Sequence, residues 1–136
     1  MDITNKELIQ TAASIINPWK SGECTSGDVG AALISEKGQL FKGGCIDVPC
    51  GMGFCAEHTA IAAMVTAGEQ RIKKIVATWK NKKGRVHILH PCGRCREFMK
   101  QVNVNNLNTI ILLSHTKGVK LKALLPYHED FSPVTR

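Results

Sequence analysis

The sequence predicts an α/β fold, a three-layer α/β/α sandwich around a mixed five-stranded sheet. Helix-like and strand-like apolar patterns alternate in the order helix, two strands, helix, two strands, helix, strand, helix. The first two strands are separated only by Glu36-Lys-Gly-Gln39, which makes them a hairpin. The 136 residues contain no internal repeat or low-complexity stretch, and that length suits one core, so residues 1–136 read as a single domain.

Each element has a local reason. Thr4 and Glu7 have capping-box spacing, and Ile3, Leu8, Ile9, Ala12, Ile15 and Ile16 follow a helical period up to Pro18, so a helix is expected over roughly residues 4–16. Residues 19–28, rich in Ser, Gly and Thr, read as a loop. Residues 29–35 and 40–46 are apolar runs of strand length. Pro49, Gly51 and Gly53 then make a loop ahead of Cys55, and the Ala-rich run from Ala56 predicts a helix stopped by Gly68. Residues 72–79 and 86–89 read as strands about the basic turn 81–84, with Pro91 closing the second. Residues 92–102 read as a helix, 109–113 as a strand, and 119–125 as a last short helix before Pro126.

Composition narrows the class. At 43% hydrophobic and 21% charged, the chain can form a core and is neither disordered nor fibrous. No run reaches the ~18–20 apolar residues of a membrane helix, and Met1-Asp-Ile-Thr-Asn-Lys-Glu7 lacks the basic start and apolar middle of a signal peptide. A soluble, cytoplasmic protein is expected. Six cysteines in such a chain then point to metal binding or catalysis rather than to disulfides. The net charge of +7 favours weak contact with anions but defines no activity.

Chemistry concentrates in Cys55-Ala56-Glu57 and Pro91-Cys92-Gly93-Arg94-Cys95, with 36 residues between Cys55 and Cys92. Taken alone, Cys92-x-x-Cys95 suits a redox motif, half a zinc knuckle or two buried cysteines equally well. Together, both pieces place cysteines at helix starts, where free N–H groups and the positive dipole end favour thiolates. Two helix starts that meet present Cys55, Cys92 and Cys95 to one Zn²⁺ and leave a fourth tetrahedral position for water. Glu57, two residues after Cys55, projects beside such a metal and can take and return a proton. As a first-turn carboxylate it also suits its helix dipole, a contribution well under about 1 kcal/mol.

The pattern matches the zinc deaminase signature with Cys as first ligand. Cys-Ala-Glu-His-Thr-Ala-Ile at 55–61 and Pro-Cys-Gly-Arg-Cys-Arg-Glu at 91–97 resemble the small zinc-dependent cytidine deaminases. Val29-Gly-Ala-Ala-Leu33, Phe41-Lys-Gly43 and Leu124-Leu-Pro126 extend the resemblance over nearly the whole chain, and Cys-Gly-Arg-Cys-Arg is most similar to the blasticidin-S deaminase branch. The resemblance implies hydrolytic removal of an exocyclic amine from a cytosine-type nucleoside in a homotetramer, less often a dimer, with one zinc per subunit. It makes Cys55, Cys92 and Cys95 the ligands, Glu57 the proton shuttle and Ala56 a substrate contact. It also implies that Phe131 closes a neighbouring subunit's pocket.

Departures from the family pattern are informative. Members often follow Cys-Ala-Glu with an arginine that offsets thiolate charge. This chain has His58, so Arg94 or Arg96 become candidates for that task. The sugar-binding Asn-x-Glu pair is replaced by Cys45-Ile46-Asp47, and the aromatic position before Val29 falls on Gly27 or Asp28. Asp47 can still accept a hydroxyl hydrogen bond, whereas Cys45 cannot supply an amide's donors and acceptor. An altered substrate pocket is therefore expected.

Two other functions compete. Lys73, Lys74, Lys80, Lys82, Lys83 and Arg85 offer phosphate contacts for a nucleic-acid deaminase, though a solvated turn accounts for them more simply. Cys50 as a fourth ligand would close the metal site and leave a structural zinc protein.

Overall fold

A computed structural model describes residues 2–130. The first helix, α1 (Asn5–Ser14), starts as the capping box predicts: the Glu7 N–H donates to Thr4 Oγ1 at 3.1 Å and the Thr4 N–H to Glu7 Oε2 at 2.8 Å. Strands β1 (Trp19–Ser21), β2 (Cys24–Ser35) and β3 (Leu40–Asp47) follow, then α2 (Ala56–Thr66), β4 (Ile72–Lys80) and β5 (Val86–Leu89). Helix α3 (Gly93–Val102), a 3-10 turn (Val104–Asn108), β6 (Ile110–Leu112), β7 (Gly118–Lys120) and α4 (Leu121–Leu124) complete the order.

Among the described residues the sheet has seven strands, not five. The two additional strands, β1 and β7, are three residues each, too short to leave an alternating apolar pattern. The expected loop over 19–28 is instead β1, a tight turn and the start of β2; the expected helix over 119–125 yields its first residues to β7. The sheet is nonetheless only five strands wide. Since β3 holds one edge of β2 over residues 25–34, β1 and β4 share the opposite edge, pairing with 24–26 and 29–35. In the same way β5 and β6 share one edge of β4, over residues 77–80 and 74–75. The β4–β6 pair is parallel and the others antiparallel, so the sheet is mixed as expected.

Strand alternation sends successive side chains to opposite faces. Ala31 and Leu33, Ile75 and Ala77, and Ile111 face α2, α3 and α4, packing on Ala60, Ile61, Met64, Met99 and Leu121. Ala32, Val76 and Leu112 face the other way, onto Leu8, Ile9 and Ala12 of α1. These are the three layers. Each large side chain fully buried this way contributes about 1.5–3 kcal/mol.

One close approach sets the position of α2. A Cβ at Gly43 would lie 2.5 Å from Thr59 Cβ and 2.8 Å from the Ala60 nitrogen, so only glycine lets the helix lie this near β3. Thr59 Oγ1 fastens the contact by donating to the Gly44 carbonyl at 2.8 Å. At the far end of α3, buried Asn106 accepts from the Ile72 N–H at 2.8 Å and donates to the carbonyls of Met99 and Gln70, fixing that helix against β4. Both helices that carry the cysteine motifs are thereby anchored to the sheet.

Candidate metal centre and reaction pocket

Helices α2 and α3 begin alike. Cys55 (φ −69°, ψ 159°) and Cys92 (φ −69°, ψ 169°) are extended N-cap residues, and Cys95 lies in the first turn of α3. Their sulfurs converge, with Cys55 Sγ 3.5 Å from Cys92 Sγ and Cys92 Sγ 3.4 Å from Cys95 Sγ. Thiolates at ~2.3 Å from a tetrahedral zinc would stand roughly 3.8 Å apart, so little movement separates this cluster from a metal site. His58 adds a fourth donor: its Nδ1 is 3.5 Å from Cys95 Sγ, and the donor atoms of Cys55, His58 and Cys95 all lie within 4.8 Å of one another. All six cysteines are free thiols.

Burial and helix ends set the protonation of the group. Burial pushes the Cys55 thiol up to about 11, aided by the neighbouring Cys92 and Glu57 charges. Burial and the Glu57 charge likewise raise Cys95. Burial opposes ionisation of Cys92 too, but the backbone N–H groups of Cys95 and Arg94, with both neighbouring thiols, outweigh it and hold Cys92 below the usual thiol range. Zinc must displace the protons that remain. Affinity for the metal-free protein is therefore expected to rise with pH, its logarithm climbing about two to three units per pH unit between pH 6 and 8, as chelator competition would read. A flat profile would mean that thiols are not the ligands.

Glu57 is 3% exposed and its Oε1 has no hydrogen-bond partner among the described residues. Burial raises its pKa, against the pull of its own N–H and of Cys95, so the carboxyl keeps its proton to higher pH than an exposed glutamate. It faces a cavity of about 350 Å³. Cys55, Ala56 and Cys92 line the same cavity, and so do Cys45 and Asp47 from β3.

The cation candidates separate. Arg94 lines the cavity and donates to the Gly53 carbonyl at 2.9 Å. The Arg96 guanidinium is engaged by the carbonyls of Pro91 and Leu124, at 2.8 and 3.0 Å, where it ties α3 to α4. His58 stacks on Phe98, with centroids 4.2 Å apart and planes 9° from parallel, and burial together with the Arg94 charge lowers its pKa. The ring behind the sulfurs is thus held neutral. Phe131 lies outside the described residues. Cys50 is exposed at a positive-φ turn position (φ 64°) and is not in the cluster.

Leu89 and His90 also line the cavity and carry no signal in the sequence, and of the two residues at the family's aromatic position it is Asp28 that lines it. Asp28 lies where the β2–β3 register shifts, between Ser26 and Gly30. The neighbouring Gly27 (φ 83°) packs on the backbone of Asn17, which leaves no room there for an aromatic side chain.

Residues 4–111 match the family model for the cytidine and deoxycytidylate deaminase zinc-binding region. The chain belongs to this family. Curated cytidine deaminases from Shewanella frigidimarina (29% identity, 89% of this chain and 37% of that one) and Mycobacterium tuberculosis (30%, 72% and 69%) are similar to it. The chain spans about a third of the length of the Shewanella and Sodalis glossinidius relatives, 37% and 31%. The crystal structure of the M. tuberculosis cytidine deaminase aligns with a TM-score of 0.72 at 23% identity, covering 93% of this chain and 97% of that one. That of Burkholderia pseudomallei aligns at 0.70, also at 23% identity, over 92% and 98%. The deaminase fold is therefore shared. Zinc is the metal that the family's region binds, and the clustered sulfurs and imidazole of this chain are donors suited to it.

Proposed function

We propose that this chain is a hydrolytic deaminase that releases ammonia from a cytosine-type nucleoside or nucleoside analogue, cytidine, deoxycytidine and blasticidin S being the candidates. One observation carries the reading: Glu57, a buried carboxyl whose Oε1 has no partner among the described residues, lines the same cavity as two of the clustered cysteines. A structural zinc site has no use for such a group, whose burial without a partner costs about 1–3 kcal/mol.

Cys55, Cys92 and Cys95 serve as ligands in this reading; His58 Nδ1 lies 3.5 Å from the Cys95 sulfur, and once that sulfur is a thiolate the Nδ1–H tautomer donates to it and withdraws part of its charge. When bound, zinc supplies the Lewis acidity that makes water a nucleophile near neutral pH. Glu57 accepts the first proton of the attacking water and delivers it to the ring nitrogen as the water oxygen bonds to the ring carbon that bears the amine; it then takes the second proton, from the hydroxyl so formed, and passes it to the departing amine. Its raised pKa suits it to hold a proton between these transfers. The bond to the exocyclic nitrogen breaks, a ring carbonyl forms, and ammonia leaves. The neutral His58 ring, wedged against Phe98, keeps the Cys95 sulfur in place.

Within the family, we place the chain near the blasticidin-S deaminase branch on its Cys92-Gly-Arg-Cys-Arg96 segment, and as a homotetramer. Exposed Trp19 and Leu89 suit contacts between subunits, and free thiols suit a reducing cytoplasm. No helix of the described residues is long and apolar enough to cross a membrane. None of Lys73, Lys74, Lys80, Lys82, Lys83 and Arg85 lines the cavity, which gives nucleic-acid editing no support at the reaction pocket. Zinc-loaded protein is expected to release ammonia from at least one of cytidine, deoxycytidine and blasticidin S. Silence on all three, with zinc bound, would overturn the reading.

A further inference from the structure

The thiols of the metal cluster have a second chemistry open to them. Cys92 caps α3 and Cys95 sits in the first turn of the same helix, their sulfurs 3.4 Å apart. Two cysteines spaced this way at a helix start are the arrangement of dithiol redox motifs. Access is graded across the cluster: Cys92 is exposed and lines the reaction cavity, Cys55 is half-buried, and Cys95 is wholly buried. A small oxidant that enters the cavity therefore meets Cys92 first.

We infer that Cys92 and Cys95 form a peroxide-sensitive pair, whose reversible disulfide displaces the metal and switches the site off. The Cys92 sulfur attacks one peroxide oxygen and the O–O bond breaks. The sulfur is oxidised to the sulfenic acid, and the second oxygen, now reduced, leaves as water with the thiol proton. The Cys95 sulfur then attacks the Cys92 sulfur. An S–S bond forms as the S–O bond breaks, and the hydroxyl departs as water with the Cys95 proton. Cys55 Sγ, 3.5 Å from Cys92 Sγ, is almost as near. A bond there, however, would join two helices fastened to the sheet separately, α2 through Gly43 and Thr59 and α3 through Asn106. Cys92 and Cys95 share one turn and close by side-chain rotation.

Loss of the metal follows from the donors that remain. Cys95 belongs to either three-donor set, whether Cys55 is joined by Cys92 and Cys95 or by His58 and Cys95. Once the pair has closed, Cys55 and His58 are the only intact donors of the cluster, because a disulfide sulfur is no thiolate. A dithiol reductant reopens the pair by exchange. None of these steps depends on which ring the cavity accepts, so the inference goes beyond the deaminase reading.

The test treats zinc-loaded protein with hydrogen peroxide beside a chromogenic zinc chelator, blocks the remaining thiols with N-ethylmaleimide and maps the peptides. Loss of two of the six free thiols to a Cys92–Cys95 disulfide is expected, with one zinc released for each disulfide formed. Dithiothreitol with added zinc should restore thiols, metal and ammonia release together. Cys24→Ser and Cys50→Ser should change nothing, whereas Cys95→Ser should form no disulfide and leave a Cys92 sulfenic acid that dimedone traps. If Cys95→Ser fails to fold, the peptide map of the parent still decides. A disulfide through Cys24, Cys45, Cys50 or Cys55 instead, oxidation of Cys92 past the sulfenic acid, or thiols that peroxide leaves intact overturns the pair. Zinc retained, or ammonia release undiminished, in the disulfide form overturns the switch. A protein that closes the pair and loses zinc, but released no ammonia beforehand, keeps this inference and loses the deaminase reading.

Discussion

Glu57→Gln is expected to lower ammonia release by about 10²–10⁴-fold while zinc remains bound. The substitution keeps the side chain's size and polarity but removes the carboxylate that accepts a proton. The position is 3% exposed and one of its oxygens is unpartnered, so an amide is tolerated there at least as well as the carboxyl. No thiol or imidazole donor is lost. Metal content by elemental analysis and melting temperature should therefore match the parent, and the loss should fall on kcat rather than on substrate affinity. The same variant separates the two zinc chemistries. A structural zinc site would keep its metal and have no turnover to lose in either form, whereas the parent of a deaminase turns over. Full activity in Glu57→Gln would remove the proton shuttle from the mechanism.

Much of this arrangement was legible in the residues. Chemistry that depends on local sequence is visible there: a capping box at Thr4 and Glu7, a hairpin turn at residues 36–39, and cysteines at two helix starts all follow from neighbours within a few positions. Strands β1 and β7 were hidden because three-residue strands are made by their partners, Ser26 to Cys24 in one case and Ile110 to Leu112 in the other, and not by their own pattern. Asp28 could not be told from Gly27 as the cavity residue for a related reason. Its place in the cavity depends on a register shift in β2 that no period-two reading contains. The part Phe98 plays in holding His58 emerges only when α2 and α3 are packed together. Arg96 shows the opposite limit. A cation beside a metal motif suggests charge compensation, yet its guanidinium is spent on two carbonyls.

The cysteines themselves admit a sharper experiment, because Cys92 and His58 compete for the third place beside Cys55 and Cys95. Cys92→Ala is expected to weaken zinc binding by more than the ~10–100-fold typical of losing an outer partner, and His58→Ala by an amount within that range. The reason is position. Cys92 faces the cavity, is backed by the first N–H groups of α3 and is held below the usual thiol range, so it is a ready thiolate. His58 does not line the cavity and is stacked against Phe98. Cobalt or cadmium substitution counts the sulfurs directly through their charge-transfer absorption, which Cys92→Ala should reduce by one thiolate's share and His58→Ala should leave intact. Stability separates the cysteines further. Cys95 is fully buried in the core, so Cys95→Ala should cost the metal-free protein about 1 kcal/mol, whereas exposed Cys92 should cost it little. With zinc present, the parent gains stability that grows with zinc concentration, and both cysteine variants should forfeit most of that gain. If His58→Ala loses the metal and Cys92→Ala retains it, the ligand set is Cys55, His58 and Cys95, and the open position must be sought on the Cys92 side of the cluster.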